Sequence, residues 1–122
     1  MSDSGAALTA LARDLERRRC EIDERIARLD RDDAVLRRDR ADGTADDEHD
    51  PEGSTLSGEW LQVEALRRAA RSERQELDAA LVRVADGTYG ICLECGRPIP
   101  VERLQARPAA DRCVTCAGGR SQ

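Results

Sequence analysis

A single aliphatic residue returning every seven positions limits what this chain can fold into more than any other feature. Leu8, Leu15, Ile22, Leu29 and Leu36 recur at that interval, and Leu11 and Ile26 lie three or four residues away on the same face. The rest of this stretch is mostly Arg, Asp and Glu, with no Pro and no Gly between Gly5 and Gly43. Such spacing draws one apolar stripe along a helix, and the mixed charges around it can form i, i+4 pairs. Leu56, Val63, Ala70, Leu77 and Val84 repeat the interval in a second stretch, flanked by Trp60, Leu66 and Leu81. Between the two, Asp42 to Thr55 contains Gly43, Pro51 and Gly53, which break a continuous helix. Two seams of equal length on a short connector predict an antiparallel coiled-coil hairpin, since neither seam is buried alone. At 1.5 Å per residue, arms of some 30 to 35 residues would extend about 45 to 55 Å, with the connector at the far tip. The second helix is expected to begin between Pro51 and Ser57 and to stop at Asp86-Gly87.

Composition agrees that no large globular core is available. Of 122 residues 37% are charged, and the aromatics are only Trp60 and Tyr89. All twenty basic residues are Arg, which removes lysine chemistry. The net charge of −5 is unevenly placed: residues 41–66 hold eight acids and no Arg, a local charge of −8 on a nearly neutral remainder. Acids gathered at a bend repel one another and add nothing to heptad packing, so the segment near 42–55 reads as a working tip.

Four of the five cysteines form a second pattern, Cys92-x2-Cys95, seventeen residues, Cys113-x2-Cys116. Two residues between paired cysteines let both thiolates reach one tetrahedral ion, and the gap suits a four-cysteine zinc site. Four thiolates leave no open position on the metal, so one structural zinc is expected rather than a catalytic one. Iron could occupy a similar site. A thioredoxin-like redox pair would need a βαβ context, which is absent. Residues 87–122 carry only +2, which four thiolates around Zn²⁺ offset, so sequence-specific DNA binding by this module is not expected. Cys20, outside the seam, reads as an exposed thiol without a role. The chain thus divides into a hairpin, 1–86, and a zinc module with a short tail, 87–122.

No stretch approaches the roughly 18 apolar residues a membrane span needs, and the N-terminus lacks a signal peptide. A soluble cytoplasmic protein is expected, where thiols stay reduced and CxxC pairs bind metal.

The run Gly87-Thr88-Tyr89-Gly90-x-Cys92-x2-Cys95-Gly96-x-Pro98-Ile99, continued by Arg103-Leu104-x-Ala106-x-Pro108-x-Ala110-x2-Cys113-x2-Cys116, closely resembles the DksA/TraR zinc-finger family. The resemblance implies a non-enzymatic transcription regulator that binds bacterial RNA polymerase directly rather than DNA. It further implies a coiled coil entering the polymerase secondary channel, with an acidic tip that alters initiation near the active site. Asp46, Asp47 and Asp50 are then the tip residues. The family's tip pattern is Asp-x-x-Asp-x-Ala; Asp47 and Asp50 match both acids, and Glu52 stands where Ala is expected. Asp39 and Asp42 offer the same spacing closer to the first helix, and Asp50 also reads as an N-cap ahead of Pro51. His49 reads as a solvated loop residue, and Trp60 as packing against the end of the first helix. Arg67, Arg68, Arg71 and Arg74 would face the channel rim or form a solvated helix face. Where some relatives place cations for guanosine tetraphosphate, this chain has Ala69 and Glu76, and it ends six residues after Cys116, so alarmone binding of that kind is not expected. The alternatives are a transcript-cleavage factor of the same shape, a DNA-binding zinc protein and a thiol-redox enzyme.

Overall fold

The computed structural model describes residues 2–43 and 51–119, with side chains described within 5–41 and 57–118. Two long helices dominate, α1 (Ser2–Gly43) and α2 (Pro51–Asp86). Two short ones follow, α3 (Val101–Ala106) and α4 (Val114–Gly119). Among the described residues there is no strand, only an isolated antiparallel bridge between Ile91 and Pro98. The fold is mainly α: an antiparallel two-helix hairpin followed by a small four-cysteine module.

The helices reach further into the connector than its Gly and Pro residues suggested. α1 continues to Gly43, and α2 starts at Pro51, the early end of the expected window. Proline is tolerated there because the first helical N–H has no intrahelical acceptor. At its other end α2 stops where the sequence placed the stop. Gly87 turns left-handed at φ 79°, Gly87 N–H donates to Val84 O at 3.2 Å, and Thr88 N–H donates to Arg83 O at 2.9 Å. These two bonds satisfy carbonyls that the helix end would otherwise leave open.

The chain packs as two compact units, Met1–Cys20 with Gln75–Gln122, and Glu21–Arg74. In the first, Leu11, Leu15, Leu77 and Ala80 are buried from the long helices, as are Tyr89, Cys92, Ile99 and Leu104 from the module. Arg19 on α1 pairs with Asp78 on α2. In the second, Ile22, Ile26 and Ala70 are buried, and Leu29, Leu36 and Val63 are partly covered. Here Asp23 meets Arg74 and Asp30 meets Arg67, so one helix rises as the other descends. Leu66 departs from its expected place beside the seam: it is 49% exposed.

Arginine also departs from a simple solvated face. Arg67 is only 15% exposed and bonds to Asp30, while Arg74 turns toward Asp23. Arg71 reaches Asp30 at 3.3 Å, and Arg68 is exposed. Cys20 is an exposed free thiol. Among the described residues, no helix is long and apolar enough to cross a membrane.

Two glycines predict opposite responses to a methyl group. At Gly90 φ is +88°, and an added Cβ would sit 3.1 Å from Leu8 Cδ2. Gly90→Ala is expected to destabilise by about 1–2 kcal/mol. Gly58 lies inside α2 with nothing within 4 Å of an added Cβ. Gly58→Ala is expected to stabilise by about 0.5–1 kcal/mol, through helix propensity. Urea midpoints of the two variants should therefore move in opposite directions.

Candidate metal centre

The module begins where the α2 cap releases the chain. Gly90 and Gly96 both take positive φ, at 88° and 73°, on either side of the first cysteine pair. Between them Cys92 N–H donates to Arg97 O at 2.9 Å, and Gly96 N–H donates to Cys92 O at 3.0 Å. This tight knuckle aims Cys92 and Cys95 in one direction. Ile99 N–H then returns to Gly90 O at 2.7 Å, closing the loop. The second pair is carried by the start of α4, where Ala117 N–H donates to Cys113 O at 2.9 Å.

Several contacts bring the knuckles together. Leu93 N–H donates to Asp111 O at 2.8 Å, and Arg103 Nε donates to Arg112 O at 2.7 Å. Arg112 Nε lies 3.4 Å from Glu94 Oε1, a charge link between the same two segments. Leu104, fully buried, anchors α3 beneath them. Tyr89 is buried as well, and its hydroxyl donates to Pro108 O at 2.8 Å. Burial pushes its phenol pKa up, so the hydroxyl stays protonated as a donor. Arg83 of α2 reaches Ala109 O at 3.3 Å, tying the helix end to the same loop.

The result gathers Cys92, Cys95, Cys113 and Cys116 with all four sulfurs within 4.8 Å of one another. Cys95 Sγ and Cys113 Sγ are 3.9 Å apart, too far for a disulfide. Tetrahedral zinc with Zn–S near 2.3 Å needs sulfurs about 3.8 Å apart, so the spacing fits a four-thiolate ion. Electrostatics agree. Backbone N–H groups, first that of Cys95 and then that of Cys113, pull the Cys92 thiol down to about 6. The crowd of sulfurs, Cys113 first, pushes Cys116 up. Four thiols this close do not all ionise without a cation, and a dication removes that obstacle. The donor set suits one structural zinc, closed to water and substrate.

The acids assigned to the tip, Asp46, Asp47 and Asp50, lie outside the described residues, as does His49. Trp60 lies within them and packs on α1. Its Nε1 donates to Asp33 Oδ1 at 2.9 Å, and Arg37 and Arg40 sit 5.7 and 5.3 Å from its ring centroid. Asp33 and Arg67 turn inward, whereas the charge pattern alone predicts i, i+4 pairs for α1 and a channel-rim or solvated face for Arg67. The available signal is the heptad row four positions past the aliphatic one: Arg19, Ile26 and Asp33 in α1, and Trp60, Arg67 and Arg74 in α2.

Residues 87–122 match the model of the prokaryotic dksA/traR C4-type zinc finger. The general stress protein 16O of Bacillus subtilis is 36% identical over 68 residues, 56% of this chain and 42% of that protein. The RNA polymerase-binding transcription factor DksA of Caulobacter vibrioides is 43% identical over 60 residues, 48% of this chain and 42% of that protein. In both cases the match spans less than half of the curated relative. The structure of transcription factor DksA2 from Pseudomonas aeruginosa superposes with a TM-score of 0.78 over 95% of this chain and 84% of that one. At 24% identity that likeness shows a shared fold. The cysteine geometry and these matches agree: residues 87–122 form a zinc finger of the dksA/traR type, joined to a helical hairpin that shares its fold with DksA2.

Proposed function

We propose that this protein is a non-enzymatic regulator of transcription that binds bacterial RNA polymerase directly. The observation that carries the reading is the four-cysteine module of this family following a two-helix hairpin whose connector concentrates the chain's negative charge. The polymerase-binding names of the matched relatives support the choice of partner. In this reading residues 1–86 supply reach, and residues 87–122, held by Cys92, Cys95, Cys113 and Cys116 on zinc, fix the base. Asp46, Asp47 and Asp50 enter the secondary channel and present negative charge near its Mg²⁺-containing centre. Charge placed there biases mobile catalytic elements or melted DNA between states, by interacting differently with each. The protein works in the cytoplasm, without membrane attachment, and is not expected to bind an alarmone in the usual family manner, given Ala69 and Glu76.

The deciding experiment compares the native chain with Asp47→Asn and Asp50→Asn, in polymerase binding and in promoter-specific transcription. Retained binding with loss of the transcriptional effect is expected for the substitution that removes the working acid. A native chain that does not bind polymerase would sink the reading. Shortened RNA from stalled complexes would point instead to transcript cleavage. Salt-sensitive retention on DNA without polymerase would point to a DNA-binding protein.

A further inference from the structure

In the unit Glu21–Arg74 charge lies inside the helix seam. Asp33 is 5% exposed and has three partners on two helices. Trp60 Nε1 donates to its Oδ1 at 2.9 Å, while Arg37 Nε and Arg67 Nη1 lie 2.8 and 3.4 Å from its Oδ2. Arg67 also donates to Asp30 at 2.9 Å and bonds to Glu64. Charges placed this way are a poor source of stability, because desolvation offsets much of their attraction. They are better suited to discriminating between arrangements.

The aliphatic seam cannot discriminate. Ile22, Leu29 and Leu36 on α1 and Val63, Ala70 and Leu77 on α2 all recur at seven-residue intervals, so sliding one helix by a heptad again pairs aliphatic with aliphatic. The polar pairs do not all survive. If each α1 residue met the α2 residue seven places later, Asp30 and Asp33 would meet Arg74 and Arg67, but Arg67 would also oppose Arg37, Asp23 would oppose Leu81, and Trp60 would exchange its acceptor Asp33 for Arg40. The reverse slip sets Asp30 against Trp60 and carries Arg67 to Asp23, leaving Asp33 buried without its guanidinium from α2. Only the observed alignment satisfies Asp23, Asp30 and Asp33 together.

We propose that Asp33 is a positioning residue which, through Arg67 and Trp60, fixes the heptad register of α1 against α2. That register sets the offset between Gly43 and Pro51, the two helix ends that carry residues 44–50. The functional consequence rests on the polymerase reading, in which the acids of that segment act from one defined position. The device resembles the buried polar residue that selects register in a coiled coil at some expense of stability.

The test uses the zinc-loaded full chain labelled with ¹⁵N. Trp60 is the only Trp, so its indole N–H gives one cross-peak for each register populated. The double variant Asp33→Leu with Arg67→Met removes the buried charges together and is expected to keep its helicity. Two or more indole peaks, at unchanged circular dichroism, are the expected result. A single sharp peak would overturn the proposal, since register would then be set elsewhere. As a control, Asp23→Leu with Arg74→Leu, at the more exposed pair, should keep one peak; splitting there but not in the first variant would also refute it. Should the first variant lose helicity, Asp33→Asn decides: a second indole peak supports the proposal, and one peak refutes it. Polymerase is absent from this measurement, so a native chain that fails to bind polymerase would remove the functional reading and leave the register result intact.

Discussion

Chelating zinc is expected to unfold residues 87–122 while α1 and α2 remain helical. The module has two six-residue helices, one isolated bridge and a core of Tyr89, Cys92, Ile99 and Leu104. So small a core does not offset the entropy of ordering its loops. A structural zinc site contributes on the order of 10 kcal/mol to folding. Cys113→Ser should act like chelation, because it removes the ligand that borders α4. Tyr89, the only Tyr, reports on the module: its phenol leaves a buried site and its bond to Pro108, changing near-ultraviolet absorption. Far-ultraviolet dichroism should fall only slightly, since the 42 and 36 residues of the two long helices dominate it. Zinc uptake should release protons and weaken with acid, as thiols compete with metal. A module that keeps its Tyr89 signal after complete metal removal would contradict this account.

Truncating Ile22 to Ala should produce one of the largest single effects in the hairpin. Ile22 is 1% exposed, and a two-helix structure has no second layer to close over a lost side chain. Removing a buried branched side chain costs about 2–5 kcal/mol once the cavity is included. A domain of ordinary stability has roughly 5–15 kcal/mol in total, so the urea midpoint should fall steeply. Leu66→Ala is the counterpart. Leu66 is as hydrophobic but half-exposed, and its loss is expected to change stability by no more than about 0.5 kcal/mol. Trp60 fluorescence during urea titration measures both, and equal midpoints for the two variants would contradict the assignment of the seam.

The contrast between these two residues shows how far the sequence could be read. Leu15, Ile22, Ala70 and Leu77 were legible as core because a seven-residue interval permits one helix face and no other. Leu66 was misjudged because residues three or four apart lie on both flanks of that face, and periodicity alone does not say which flank the partner covers. The stop at Gly87 was legible for a local reason, since a left-handed residue after a helix favours glycine. The start at Pro51 was legible only as a window, because proline suits the first turn but does not by itself say where the chain enters it.

The four cysteines illustrate what the sequence determines outright. Their type and spacing specify a closed tetrahedral site, since two-residue gaps bring thiolates to one ion whatever holds the loops. What holds those loops was decided by tertiary structure: Leu93 on Asp111, Arg103 on Arg112 and Tyr89 on Pro108 join residues distant in the sequence. The charges follow the same division. Their number, and their concentration in residues 41–66, can be counted from the sequence. That Asp33 and Arg67 turn inward and face each other depends on how one helix lies against the other. A charge costs little in water and much inside a seam, so its effect follows from the partner that the fold brings to it.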